Sequence, residues 1–215
     1  MGSFYNSLVN TIGSVDDLIE NYNNQINLLR AFGNQKYQQL NFVYSEPIKQ
    51  FFTFVKGKEV GSKNYLTENS KQAIPYLRVG NLLSGQYDTF VEDTEIVASN
   101  DDILIAFDGA PGRNNIGLHG AYSSGIYKVV SSEIYKGIIY FYLNSEYCQN
   151  VIKVNSQGTT ILHAGKAIKE LLFPQEISEA CLDEFNLLFR QIIDLIEKRN
   201  ILLEQKKLLL TKYFE

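Results

Sequence analysis

The sequence predicts an α+β protein: one β-rich globular body flanked by two long, coiled-coil-forming helices. Three observations lead there. Asp17-Leu18-Ile19-Glu20 followed by Gln35-Lys36 near the start is echoed by Asp194-Leu195-Ile196-Glu197 followed by Gln205-Lys206 near the end. Around both copies apolar residues recur at alternating steps of three and four, the spacing of a coiled-coil seam. Between Tyr44 and Pro174 that period is missing, and short apolar runs are punctuated by glycines, as in a turn-rich β body. The two spacings within the near-repeat differ by one heptad, which a coiled coil gains or loses without rotating its seam off the partner.

Taken in order, Ser14 reads as the N-cap of the first helix, with Asp16 and Asp17 in its favourable first turn. The seam then runs through Val15, Leu18, Ile19, Tyr22, Ile26, Leu29 and Phe32. Gly33 weakens the helix, Tyr37 and Leu40 carry the pattern on, and Pro47 marks its end. Strand-like runs follow at 74–79, 103–107 and 125–130. Residues 133–154 read as one helix that buries Ile138, Ile139, Phe141, Tyr142 and Leu143. Pro174 is expected to open the last helix, whose seam runs from Leu182 through Phe185, Phe189, Ile192, Ile196, Leu203, Leu210 and Tyr213. Residues 176–214 would form a rod of roughly 60 Å. The body is too small to bury such a rod along its whole length, so part of the helix is expected to pack on the other long helix, on a second copy, or on both. The expected division is 1–43, 44–174 and 175–215.

Composition narrows the function classes. The chain of 215 residues is 45% hydrophobic and 20% charged, as in folded soluble proteins rather than disordered ones. It has no apolar run of about 18 residues, so no membrane span is expected. Met1-Gly2-Ser3-Phe4-Tyr5 lacks the basic-then-apolar order of a secretory signal, which points to the cytoplasm. Cys148 and Cys181 match neither a metal spacing nor a disulfide framework and read as reduced thiols. His119 and His163 have no companion at ligand spacing, so no metal is expected. No Walker loop, HExxH or GxSxG occurs. The sequence thus suggests no catalytic site and no cofactor. The net charge of −4 argues against nucleic-acid binding by bulk charge alone.

Several stretches, in order and spacing, resemble the specificity subunit of type I restriction-modification systems. Gln72-Ala73-Ile74-Pro75-Tyr76-Leu77-Arg78-Val79-Gly80-Asn81-Leu82 is similar to that family's YIRxGDI strand and turn. Asp102-Ile103-Leu104-Ile105-Ala106-Phe107-Asp108-Gly109-Ala110-Pro111-Gly112-Arg113 resembles its GDILI…DGxxGR strand and loop. Gln157-Gly158-Thr159-Thr160-Ile161 resembles its GST turn, and residues 168–174 its lead into the conserved helix. Leu203-Glu204-Gln205-Lys206-Lys207-Leu208-Leu209-Leu210 resembles that helix's LLEQKKxLL end. The resemblance implies a half-length form: one target-recognition domain (44–174) between an N-terminal spacer and dimerisation helix (1–43) and a conserved C-terminal spacer helix (175–215). It implies a non-catalytic subunit that directs partner adenine methyltransferase subunits to a bipartite site on double-stranded DNA. A restriction or translocase subunit is implied where one joins. The chain is expected to pair with a second copy or another specificity chain through Leu18, Tyr22, Ile26, Leu29, Phe185, Phe189, Ile192, Ile196, Leu203 and Leu210.

Residue chemistry supports the middle as a DNA reader. The glycine-rich loop ends in Arg113, Asn114 and Asn115; Arg suits bidentate contact with guanine and Asn with adenine in the major groove. Lys56, Lys58, Lys63 and Asn64 form a basic stretch suited to phosphates. Gln157, Thr159, Thr160 and His163 line a further polar turn suited to phosphate or base contact. A solvated turn explains each of these stretches as well. Between Tyr44 and Phe173, Lys and Arg nearly balance Asp and Glu, which suits a reader that depends on partners to clamp the DNA. The alternative is a non-DNA interaction protein, its β-rich body binding protein or glycan and its coiled-coil arms making oligomers. The acidic balance and 14 tyrosines keep that reading open.

Overall fold

The computed structural model describes residues 2–68, 70–92, 94–158 and 162–214. Two long helices frame it, α1 (Gly2–Gln39) and α5 (Glu179–Phe214). They run antiparallel: Lys36 pairs with Glu184 at 2.7 Å, Arg199 Nη1 donates to Asn23 Oδ1 at 3.2 Å, and Lys206 pairs with Asp16 at 2.5 Å. The apolar seams meet between these polar contacts, with Ile26, Tyr37, Phe185, Phe189, Ile192 and Ile196 buried. A third helix, α3 (Glu133–Leu143), completes the layer. The Phe141 and Phe185 rings lie 5.2 Å apart, and those of Tyr140 and Phe189 5.8 Å. Gly33 has a packing role, because a Cβ there would run into the Phe141 ring.

This arrangement corrects the seam inferred from sequence. Ile26, Phe185, Phe189, Ile192 and Ile196 are buried inside one chain and are not available to a second one. Leu18, Leu203 and Leu210 remain exposed, and Tyr22 and Leu29 are half-buried. Three element boundaries also differ. α1 begins well before Ser14, whose Oγ instead donates to the Asn10 carbonyl at 3.0 Å inside the helix. The expected helix over 133–154 is two, α3 and α4 (Glu146–Val154), because Ser145 caps a new start, its Oγ accepting from the Cys148 amide. Pro174 closes a strand. Ser178 precedes α5, its Oγ accepting from the Cys181 amide at 3.2 Å, so that an N-cap hydroxyl satisfies an otherwise unpaired N–H.

Among the described residues the body holds two four-stranded sheets and a two-stranded ribbon. The ribbon pairs β1 (Tyr44–Pro47) with β10 (Leu172–Pro174), bringing the ends of the body together beside the helices. One sheet has β2 (Phe52–Lys56), β9 (Ile126–Ser131), β6 (Leu104–Ala106) and β7 (Asn114–Asn115) in that order. The other has β4 (Phe90–Glu92), β3 (Ala73–Leu77), β8 (Gly120–Tyr122) and β5 (Val97–Ala98). Pairing is antiparallel except between β3 and β8. A four-residue helix, α2 (Asn81–Ser84), follows β3.

The uninterrupted apolar run around β6 follows from its position. Ile103, Ile105 and Phe107 join the core against the helices, whereas Leu104 and Ala106 face a second core with Leu77, Tyr122 and Ile126. Successive strand side chains point to opposite faces, so a strand between two cores is apolar at every position. The body rests on α5 at Gly117, whose φ of 79° favours glycine and where a Cβ would strike Ile196. It rests on α1 where Arg30 Nη2 donates to Asn115 Oδ1 at 2.9 Å. No helix among the described residues is long and apolar enough to cross a membrane.

Two outcomes follow from this packing. Phe185→Ala should destabilise the fold by about 3–5 kcal/mol, while Leu187→Ala, on the exposed face, should stay within about 0.5 kcal/mol. In urea titrations the Phe185→Ala loss should not vary with protein concentration; a concentration-dependent loss would return Phe185 to an interface between chains. Burial pushes the Cys148 thiol up to about 12, whereas Cys181 is only half-buried. At neutral pH an alkylating reagent should therefore reach Cys181 in the folded protein and Cys148 only on unfolding, as read by mass spectrometry.

Candidate nucleic-acid interface

Five loops gather at one end of the body, four held there by backbone hydrogen bonds and the fifth by a side chain. The segment after β2 is tied by Gly57 N to Ile126 O at 2.9 Å and Lys58 N to Tyr122 O at 3.0 Å. The loop after β6 is tied by Phe107 N to Gly125 O at 3.1 Å, in the turn before β9, and by Gly109 N to Leu162 O at 2.8 Å. Gln157 and His163 exchange amide bonds of 3.0 and 2.8 Å, closing the polar turn against the same loop. The Arg113 Nη1 donates to the Val79 carbonyl at 3.4 Å, which adds the loop after β3.

Asp108 organises the side chains in this region. His163 Nδ1 lies 2.8 Å from its Oδ1 and Lys56 Nζ 3.8 Å from its Oδ2. Lys56 Nζ also sits 5.5 Å from the centroid of the Tyr127 ring. The Asp108 side chain is 21% exposed, against 52% for Lys56 and 63% for His163, so the anion is inside and its two partners are outside. A carboxylate in that position restrains both groups while leaving their outer sides to solvent. Ion pairs this exposed add little stability, so the arrangement orients more than it stabilises.

The structure thus brings together Lys56, Lys58, Arg113, Gln157 and His163. Lys63 and Asn64 stand on a separate exposed 3₁₀ turn, Ser62–Asn64. Thr159 and Thr160 lie outside the described residues. Asn114 and Asn115 need correction, because their amides are used within the chain. Asn114 Nδ2 donates to Gly112 O and Asn144 Oδ1, and its Oδ1 accepts from Asn144 Nδ2 at 3.1 Å. Asn115 Nδ2 donates to Leu82 O at 3.0 Å, and its Oδ1 accepts from Arg30 and from the Ile116 amide. An adenine reader has to present both amide groups outward, and these do not. Arg113 differs: beyond the single bond to Val79, no described residue accepts from its guanidinium. Sequence reasoning passed over Asp108 and Tyr127. The aspartate was visible in the DGxxGR-like loop, but its role depends on a histidine 55 positions away in the chain.

No protein-family model matches the sequence, and the comparison with curated proteins found no match. Solved structures do match. The type I restriction-modification S subunit from M. genitalium superposes with a TM-score of 0.64 at 19% identity, over 97% of this chain and 60% of its own. The HsdS subunit from Thermoanaerobacter tengcongensis gives 0.52 at 15%, over 97% of this chain and 58% of its own. A chain from a structure describing complex assembly and conformational transition of the type I R-M system gives 0.51 at 15%, over 96% and 58%. This protein therefore has the specificity-subunit fold, and spans about three fifths of the length of the chains it matches.

Asn114→Ala should leave Asn144 Oδ1 without its donor, although Asn144 Nδ2 keeps the Tyr140 carbonyl, and cost about 1–3 kcal/mol in urea unfolding. Asn144→Ala should cost a similar amount, and the double variant clearly less than the sum of the two. Additive losses would mean that the pair does not act as a unit.

Proposed function

We propose that the chain performs the task of the fold it shares: recognition of a short sequence in double-stranded DNA on behalf of a type I restriction-modification assembly. The likeness to the M. genitalium S subunit over 97% of this chain carries the reading. The cluster of loops supports it, since it exposes the kinds of groups that DNA recognition uses. Arg113 has guanidinium donors left beyond its one bond to Val79, which suit guanine, and Lys56, Lys58 and His163 suit phosphates. Gln157 adds an exposed amide, and Lys63 and Asn64 extend the surface.

In this reading the chain is non-catalytic and works in the cytoplasm. Methyltransferase subunits, and a restriction or translocase subunit where one joins, supply the chemistry. The near balance of charge in the body means weak DNA affinity without partners. The helices, having spent their inner seams on each other, offer only outer apolar residues to further chains, among them Leu18, Leu203 and Leu210. Paired about a two-fold axis, two such chains present the same reading surface twice, which calls for two half-sites in inverted orientation.

Gel-shift with a purified methyltransferase partner and a panel of duplexes tests the reading. Sequence-dependent retention is expected; retention of no duplex under any condition would favour a protein- or glycan-binding role. Arg113→Ala should cost roughly 1–3 kcal/mol on the preferred duplex and relax specificity at one position. Lys56→Ala should weaken all duplexes about equally and reduce the salt slope by about 1. If both variants behave alike on preferred and random DNA, Arg113 does not read a base.

A further inference from the structure

β2 lies at the end of its sheet, with β9 on one side and no described strand on the other. Its register with β9 runs from Phe52 opposite Ser131 to Lys56 opposite Tyr127, with neither bulge nor proline. The direction of its backbone groups follows from β9. The Val129 amide donates to the Ile103 carbonyl at 2.9 Å, on the β6 side, so Val129 turns away from β2. Residues opposite each other in an antiparallel pair point their N–H and C=O groups either at each other or away from each other. Phe54, opposite Val129, therefore points its backbone groups out of the sheet, and Lys56 does the same two positions on. No described backbone group bonds to either of them on that side. Phe54 is half-buried and Lys56 exposed, so this edge is open to another chain. An edge that is not blunted is a template for an added strand.

A cleft of about 460 Å³ runs along the same edge. Phe52, Thr53 and Phe54 all line it, although successive strand side chains point to opposite faces, which places the cleft beside the strand rather than over one face. Ile168, Leu171 and Leu172 form an apolar wall, and the exposed Lys49 and Lys169 complete the lining. Neither lysine takes part in an ion pair among the described residues. No carboxylate lines the cleft; Glu46 and Glu170, close in sequence, stand outside it. We propose that β2 accepts an extended segment of a partner protein as an added strand. Apolar side chains at alternate positions of that segment enter the cleft, and carboxylates at its ends meet Lys49 and Lys169. Backbone bonds along the edge supply affinity, and the cleft selects side chains at the strand period of two. The apolar wall suits such a peptide and offers nothing to a phosphate backbone. This inference goes beyond DNA recognition and does not depend on it.

The experiment selects a displayed library of random nonapeptides on the full chain. Enriched peptides should carry apolar residues at alternate positions and Asp or Glu at their ends. A synthetic nonapeptide of the enriched sequence is then the probe. Its binding should protect the Phe54 and Lys56 amides from hydrogen exchange and leave those of Thr53 and Val55, which face β9, unchanged. N-methylation of one alternate set of probe amides should abolish binding, and of the other set should leave it intact. Lys49→Glu combined with Lys169→Glu should weaken the probe about tenfold, and a probe with Lys in place of its carboxylates should regain the loss. Both lysines are exposed, so this variant is expected to fold. Enrichment of no such peptide, indifference to both N-methylated sets, or protection away from β2 would overturn the proposal. So would protection of the Phe54 amide by a random-sequence duplex and by no peptide, which would assign the edge to DNA.

Discussion

The antiparallel pairing of α1 with α5 is the interaction on which the rest of the molecule depends. It joins the two ends of the chain, and α3 packs into it through Tyr140 and Phe141, so the body is attached to the rod by burial and not merely by two connections. The polar contacts along the pair, Lys36 with Glu184 and Lys206 with Asp16, lie on exposed or half-exposed surface and set direction and register more than stability. The energy lies in the apolar seam between them, where Phe185 and Ile192 are fully buried.

That attachment decides which end of the body is free. Gly117 and Asn115 are drawn against the helices, which removes one side of the sheets from use. The loops around Lys56, Asp108, Arg113 and His163 are held by backbone bonds to the β2–β9–β6 sheet. The same loop that presents Arg113 continues directly into Asn114 and Asn115, which anchor it. One short segment therefore changes from contact surface to scaffold within two residues.

The large divisions of the molecule are written in its local sequence pattern. Heptad spacing at both ends and its absence between Tyr44 and Pro174 come from local periodicity, which the helix and strand geometries impose directly. The strand runs near 74–79, 103–107 and 125–130 were legible for the same reason, and the order of the degenerate motifs was enough to suggest the fold. Lys56, Arg113, Gln157 and His163 were also legible as polar groups on glycine-rich turns. Boundaries were less so: Ser14 reads as a cap but bonds to the preceding turn, as a serine within a helix can, while Ser145 and Ser178, which the sequence did not single out, serve as caps.

What each seam and each polar tip is used for depends on long-range packing. A heptad pattern states that a helix needs an apolar partner but not which chain supplies it. Here the two helices are tethered through one body, so each is present to the other at high effective concentration, and the inner seam closes within the chain. Asn114 and Asn115 have the composition of a base-reading tip. Their amides are taken by Asn144, Leu82 and Arg30, partners on other elements that no local pattern reveals. The same holds for Asp108 with His163, and for Arg199 with Asn23. Such pairings exist only once the chain has brought together residues far apart in sequence, so periodicity and composition do not specify them.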